Sequence, residues 1–396
     1  MSNRLVQLEL YHLRLPFRHK FSHAAASRGA TDTVIAAALL ADGTVGFGEG
    51  LPREYVTGET VESVLFNIED ILVDSIIKLE PKSWSVLLDC VDNLPFENNQ
   101  GQVINSARCC VELALLDAYG KYFHRCLSSI AEWMGYASFL NSDLVDTVRV
   151  SGVLDGSNPG LISRRLRKMW WYGLRDFKLK MGCPHDRENL EQVYRRLRCH
   201  LSSEKATLRV DANGAWDIDE AISMSTKLAS RNVCCLEQPL ALNDGAHMRV
   251  LADLSDIPLM ADESLITLDD AKYLVVNDLI DYFNIRISKN GGLIPALRLA
   301  EMAFQYDRGV QLGAMVGESG ILAAAGRQFL QMVPDVSFTE ICYGNFLLQE
   351  DIVDCKMRFG FGGKMRKMKD SGLGVMVKRD KIAKYIVESP RKIDLA

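Results

Sequence analysis

Two lysines one residue apart and three carboxylates at near-regular intervals are the groups in this sequence with the types and spacing for chemistry. The lysines lie in Phe177-Lys178-Leu179-Lys180-Met181-Gly182; the acids are Asp211, Glu237 and Asp262, 26 and 25 residues apart. In an extended strand side chains alternate faces, so Lys178 and Lys180 share one side. At 4 Å and an effective dielectric near 20, two ammonium groups repel by roughly 4 kcal/mol, so anions or solvent must lie close by. A cationic neighbour also lowers a lysine pKa toward the neutral form that a base needs, which would let Lys178 tune Lys180. Three carboxylates side by side repel likewise, and a divalent cation is the ordinary remedy. Hard oxygen ligands suit Mg²⁺, which keeps near-octahedral geometry and several waters. Lys289, in Arg286-Ile287-Ser288-Lys289-Asn290-Gly291-Gly292, would flank the acids from the other side. A metal bracketed by lysines suits removal of a proton α to a carboxylate, with cations offsetting the enolate charge and a lysine moving the proton. The plainer alternatives are solvated lysines on an edge strand and acids that cap helices.

These residues need a scaffold that brings them together, and the rhythm of the chain supplies one. From about residue 146, strand-like and helix-like runs alternate. Strands are expected at 147–153, 174–181, 207–212, 233–238, 258–262, 282–288, 309–315 and 335–341, with helices centred near 165, 193, 223, 248, 272, 300 and 325. Eight strands and seven helices fit a closed, TIM-like (β/α)7β barrel over residues 146–350. A doubly wound sheet would carry a glycine-rich phosphate turn after its first strand, and none is present. Barrel chemistry collects at the C-terminal ends of strands, where Asp211, Glu237 and Asp262 fall on consecutive strands. Residues 1–135 read as an α+β unit, with strands at 6–15, 33–40 and 45–48 and helices at 60–78, 83–91 and 106–133. Between them run two segments expected as loops, 16–29 and 48–59, the first too long for a hairpin turn. The tail, 351–396, is expected to return to this first unit through a strand at 372–377.

The totals exclude several classes. The 396-residue chain carries a net charge of −5, which gives nucleic acid or an anionic membrane no general attraction. No run approaches 18 apolar residues, and residues 1–5 open no secretory signal, so a cytoplasmic protein is expected. The ten cysteines are dilute and lack zinc-type spacing, as suits a reducing compartment. A small molecule is the default partner.

The motifs containing Lys178 and Lys180, Val210-Asp211-Ala212-Asn213-Gly214-Ala215-Trp216, Leu236-Glu237-Gln238-Pro239, Met260-Ala261-Asp262-Glu263-Ser264 and Ser288-Lys289-Asn290-Gly291-Gly292 carry a resemblance. Together they resemble the muconate lactonizing enzyme subgroup, the mandelate racemase/muconate lactonizing enzyme-like branch of the enolase superfamily. The resemblance spans nearly the whole chain. It implies an α/β barrel with an N-terminal α+β capping domain completed by the C-terminal tail, and a homo-oligomer. By motif position it implies that Asp211, Glu237 and Asp262 bind Mg²⁺, with Asn213 and Glu263 behind them. Lys180 and Lys289 would be opposed acid/bases, with Lys178 tuning the first. Glu318 and Glu340 would line the pocket. Cap segments carrying His19, His23, Arg28, Arg53 and Tyr55 would close over it and choose the substrate.

The activity so implied is a Mg²⁺-dependent isomerase of a small carboxylate: a racemase or epimerase of an amino-acid derivative, or a muconate-type cycloisomerase. The other readings are an o-succinylbenzoate-synthase-like dehydration, a dipeptide epimerase and a barrel that binds a ligand without catalysis. At the eighth strand, Phe338-Thr339-Glu340-Ile341-Cys342-Tyr343-Gly344 lacks the Asp-x-Asp pair of dipeptide epimerases and is closer to the cycloisomerase pattern. The intact lysines and acids speak against a non-catalytic barrel.

Overall fold

The computed structural model describes residues 2–23, 26–135, 149–155, 158–182, 185–242, 244–354 and 357–395. The first three strands, β1 (Leu5–His23), β2 (Ala26–Leu40) and β3 (Val45–Gly50), form an antiparallel meander. Of the segment 16–29, expected as a loop, residues 16–23 and 26–29 instead belong to β1 and β2, paired through Phe21↔Arg28 and His23↔Ala26. Their register shifts between Pro16 and Phe21, beginning where proline has no N–H to give the ladder. The hairpin also docks on the chain beyond the last barrel strand. Gln349 N–H donates to Pro16 O at 2.9 Å, and Arg18 Nε donates to Leu348 O at 2.8 Å.

Glycines on β3 determine what packs on it. A Cβ at Gly46, Gly48 or Gly50 would lie within 2.0–2.2 Å of backbone atoms of Ala118, Cys110 or Ser106. The helix Asn105–Tyr122 can therefore approach this strand directly, and Asn105 through Gly120 are all buried. The expected helix 106–133 ends at Tyr122, because His124 turns to a φ of 54°. A 3-10 turn, Leu127–Ser129, and a short helix, Ile130–Trp133, follow.

Eight further strands form one wholly parallel sheet. They are β4 (Gly152–Leu154), β5 (Asp176–Lys180), β6 (Thr207–Asp211), β7 (Cys235–Glu237), β8 (Leu259–Ala261), β9 (Tyr282–Ile285), β10 (Gly309–Leu312) and β11 (Val336–Thr339), paired in sequence order. Ser151 N–H donates to Thr339 O at 2.8 Å, joining the approach to β4 with β11 and closing the ring. Residues 147 and 148 of the expected first strand lie outside the described residues. Among the described residues, seven helices join the strands: Pro159–Trp171, Asp186–Leu201, Ile218–Ala229, Gly245–Leu254, Leu268–Val276, Leu293–Gln305 and Gly320–Met332. Polar residues set several of their starts, for example Asn158 accepting from Leu161 N–H and Asp217 from Glu220 N–H. The architecture is a (β/α)7β barrel with an antiparallel capping sheet.

Strand alternation decides which side chains enter the barrel. On β5, Phe177 stacks on Trp170 of the preceding helix, Pro159–Trp171, with ring centroids 6.3 Å apart, so Lys178 and Lys180 turn inward. The tail does return to the first sheet, but through β12 (Arg391–Asp394), antiparallel to β1 with Leu10↔Arg391 and Gln7↔Asp394. The expected strand 372–377 makes only single bridges, at Gly372 and Val377. Positive φ at Gly372 (66°) and Gly374 (76°) breaks its extension. Among the described residues, no helix is long and apolar enough to cross a membrane.

Candidate active site

The acids meet because parallel register makes them neighbours. Lys180 pairs with Asp211 across β5 and β6, and Asp211 with Glu237 across β6 and β7. Asp262 follows directly after β8. None of the three acids has exposed surface. Lys178 Nζ lies 3.1 Å from Glu237 Oε1, 2.6 Å from Glu340 Oε2 and 3.4 Å from Asp211 Oδ2. Burial disfavours its charge, yet Glu237, Glu340 and Asp211 outweigh that and raise its pKa above the ordinary lysine value. Lys178 is therefore a fixed cation beneath the site. Glu340 is gripped from its other oxygen by Arg209 at 2.7 Å. Burial opposes its charge as well, but Lys178 and Arg209 hold its pKa below the usual value.

Lys180 is placed differently. Its side chain is 13% exposed, Nζ donates to Asn213 Oδ1 at 2.9 Å, and Asp211 Oδ2 is 3.1 Å away. Asn213 takes a left-handed φ of 47°, followed by Gly214 at 70°. This tight turn brings the Asn213 amide back over the end of β6. Its Nδ2 faces Glu263 Oε1 at 3.5 Å. Burial, then the Asp211 charge, pushes the Glu263 carboxyl up to about 7. For Asp211, burial works against the charge, but Lys180 and Lys178 win and hold the carboxyl well below its usual range.

Lys289 does not face the pocket. It has no exposed surface, and Nζ donates to Asp262 O at 2.6 Å, Asp262 Oδ1 at 3.1 Å and Asn284 O at 2.8 Å. Burial, then the Arg286 guanidinium, pulls its pKa well below that of an exposed lysine. That direction suits a base, but the placement denies it contact with a substrate. The expected strand 282–288 ends at Ile285, and Lys289 lies in the turn beyond it. The group that enters the pocket there is Arg286, whose Nη2 rests against Asp262 Oδ2.

A cavity of about 530 Å³ opens over these residues. Lys178, Lys180, Arg286, Glu318, Glu340 and His19 are among its lining groups. Glu318 Oε1 accepts from Met315 N–H at 2.7 Å, and burial pushes its carboxyl up to about 8. His19 reaches the mouth from the hairpin. The side chains of His23 and Arg28 lie outside the described residues. Arg53 is not a substrate group: it is buried, with Nη2 donating to Thr31 Oγ1 at 2.6 Å and Val316 O at 2.7 Å. It braces the cap against the segment after β10. Tyr55, on the short helix Glu54–Thr57, is partly exposed and outside the cavity lining.

Among the described residues no three acids already close into a ligand cage. Lys178 bridges Asp211, Glu237 and Glu340, and Arg286 lies against Asp262. The donor set nevertheless fits a hard cation. Asp211 Oδ2, Asp262 Oδ2 and Glu263 Oε2 are buried oxygens that accept no aligned hydrogen bond. Sequence reasoning missed Arg286, Asn284 and Gln311. The last two fix Glu237, with Asn284 Nδ2 at 2.8 Å from Oε1 and Gln311 Nε2 at 3.3 Å from Oε2. Period-two alternation along β9 was the signal available, since it places Asn284 and Arg286 on one face.

Comparison with known proteins agrees with this geometry. Residues 162–381 match the family described as enolase C-terminal domain-like. The chain is 30% identical to an L-Ala-D/L-amino acid epimerase of Maribacter over 91% of this chain and 96% of that protein. It is 24% identical to an N-succinyl-L-Arg/Lys racemase of Bacillus cereus, over 97% and 98%. The solved structure of muconate lactonizing enzyme from Pseudomonas fluorescens, complexed with muconolactone, superposes with a TM-score of 0.83 at 25% identity, covering 98% of this chain and all of that one. Racemase, epimerase and cycloisomerase are all isomerases, and the chain belongs to the enolase superfamily as an isomerase of its mandelate racemase/muconate lactonizing enzyme subgroup.

Proposed function

We propose that this isomerase is Mg²⁺-dependent, acts on a small carboxylate through an enolate, and uses Lys180 as its acid/base. The observation that carries the reading is Lys180 itself, reachable from the cavity yet held 3.1 Å from Asp211 and 2.9 Å from Asn213. Asp211, Glu237 and Asp262 would hold the ion, and the buried Asp211 Oδ2 and Asp262 Oδ2, which accept no aligned hydrogen bond, support this. When bound, Mg²⁺ supplies positive charge against the developing enolate.

The remaining work belongs to the chain's own residues. Lys180 takes the proton from the α-carbon and gives it back, with Asn213 fixing the direction of Nζ. Lys178 holds Glu237 and Glu340 in place and adds positive charge below the substrate. Asn284 and Gln311 orient Glu237, and Lys289 orients Asp262. His19 would meet the substrate from the hairpin side. The epimerase, racemase and cycloisomerase names of the relatives support the shared proton abstraction.

The test is α-proton exchange in D₂O, followed by NMR, over N-acyl amino acids, dipeptides and γ-lactone carboxylates with Mg²⁺ present. Deuterium entering at the α-carbon is expected for at least one of these classes. No exchange in any class would overturn the reading.

A further inference from the structure

Arg286 occupies the position across the barrel from Lys180. β5 and β9 stand four places apart in a ring of eight strands, so their ends are diametrically opposed. Asn284 points inward from β9 to Glu237, and Arg286, two residues on, continues on that face. Lys180 and Arg286 both line the cavity, and Lys289 does not. Arg286 Nη2 rests against Asp262 Oδ2, whereas Nη1 lies 3.7 Å from Met315 Sδ and Nε has no hydrogen-bond partner, which leaves that edge of the guanidinium for a ligand. A guanidinium keeps its proton at any physiological pH and presents a planar fork suited to a carboxylate. Lys178 cannot supply a second face, because it shares a strand and a side with Lys180. Glu340 is held by Lys178 and Arg209, and Glu318 by the Met315 N–H.

We infer that proton transfer in this site occurs on one face only, with Lys180 as the single acid/base and Arg286 opposite it as a permanent cation that holds the substrate's anionic group. The inference rests on the enolate reading above and narrows it. Inversion at the α-carbon needs a proton donor on each face, whereas opening and closing a lactone ring needs only one. In ring opening, the α-proton passes to the Lys180 amine and its electron pair enters the enolate. The pair then forms the carbon–carbon double bond as the ring C–O bond breaks, and the oxygen leaves as a carboxylate. Closure reverses each step, so no co-reactant is required. A site of this kind serves reactions that need one acid/base, of which lactone opening and closure is an example, and not inversion.

The test follows the stereochemistry of exchange in D₂O by NMR and chiral chromatography, using γ-lactone carboxylates and N-acyl amino acids with wild type and Arg286→Lys. Wild type should introduce deuterium with the configuration retained, and Arg286→Lys should gain inversion. Inversion by the wild type would overturn the one-face inference and leave the enolate reading standing. Absence of exchange with every probe would overturn both. Calorimetry with N-acetyl-α-aminoisobutyrate, which has no α-proton and cannot react, gives a second readout. Arg286→Gln should bind it at least about tenfold more weakly than wild type, as expected for loss of a charge-assisted pair. Equal affinity would overturn the holding role of Arg286.

Discussion

Lys289 is bound to Asp262 twice, through the backbone oxygen at 2.6 Å and the carboxylate at 3.1 Å, and neither side chain has exposed surface. The lysine is thus a positioning residue beneath an acid proposed to hold the metal. Its removal leaves Asp262 without one buried partner. Lys289→Met should lower stability by about 3 kcal/mol, read by urea unfolding. A variant as stable as wild type but devoid of proton exchange would contradict the assignment and return Lys289 to the chemistry.

A second buried pair lies on the cap and reaches the barrel through its hydrogen bonds. Arg108 and Glu112, on the helix Asn105–Tyr122, are ion-paired with no exposed surface. Arg108 Nη1 donates to Gly291 O at 2.7 Å, and Glu112 Oε1 accepts from Ile294 N–H at 2.9 Å. A Cβ at Gly292, where φ is 129°, would come within 2.4 Å of the Glu112 carboxylate. This pair therefore locks the turn that carries Lys289. Arg108→Leu strands a buried carboxylate and should cost about 3–5 kcal/mol, measured by the same unfolding curve. A loss under about 1 kcal/mol would show that the pair behaves like a surface contact.

Glu49 gives a pH prediction away from the reacting groups. Its buried carboxylate accepts from Ser319 Oγ at 2.6 Å and from the Ser319 and Leu322 N–H groups, capping the helix Gly320–Met332. Burial pushes its pKa up to about 6, against the pull of those hydrogen bonds. The folded value exceeds the unfolded one, so the fold binds this proton more tightly. Its contribution is full below the unfolded pKa and is lost as pH rises through about 6. The stability advantage of wild type over Glu49→Gln should be larger at pH 4.5 than at pH 7 in thermal melts. An advantage that grows with pH would reverse the sign and refute the burial argument.

The barrel was legible because its signal is periodic. Each βα unit repeats at about the same length, and the acids recur at its spacing. The hairpin at 16–23 was hidden because part of what holds it is non-local, the backbone of Leu348 and Gln349. Lys289 was misplaced for a physical reason too. Extending β9 to residue 288 carried the strand into the turn at 287–291, and so put the wrong cation on the rim. Counting alternate residues from Asn284 reaches Arg286 first. The commitment of Lys178 to Glu340 was out of reach, since the two lie 162 residues apart and meet only when the ring closes.

The most direct test of the central claim compares α-proton exchange and metal affinity in Lys180→Ala and Asp211→Asn. Lys180→Ala should slow deuterium exchange by at least about 10²-fold while calorimetry finds Mg²⁺ bound as in wild type. Asp211→Asn should lose Mg²⁺ affinity itself. Exchange at the wild-type rate in Lys180→Ala would contradict the account.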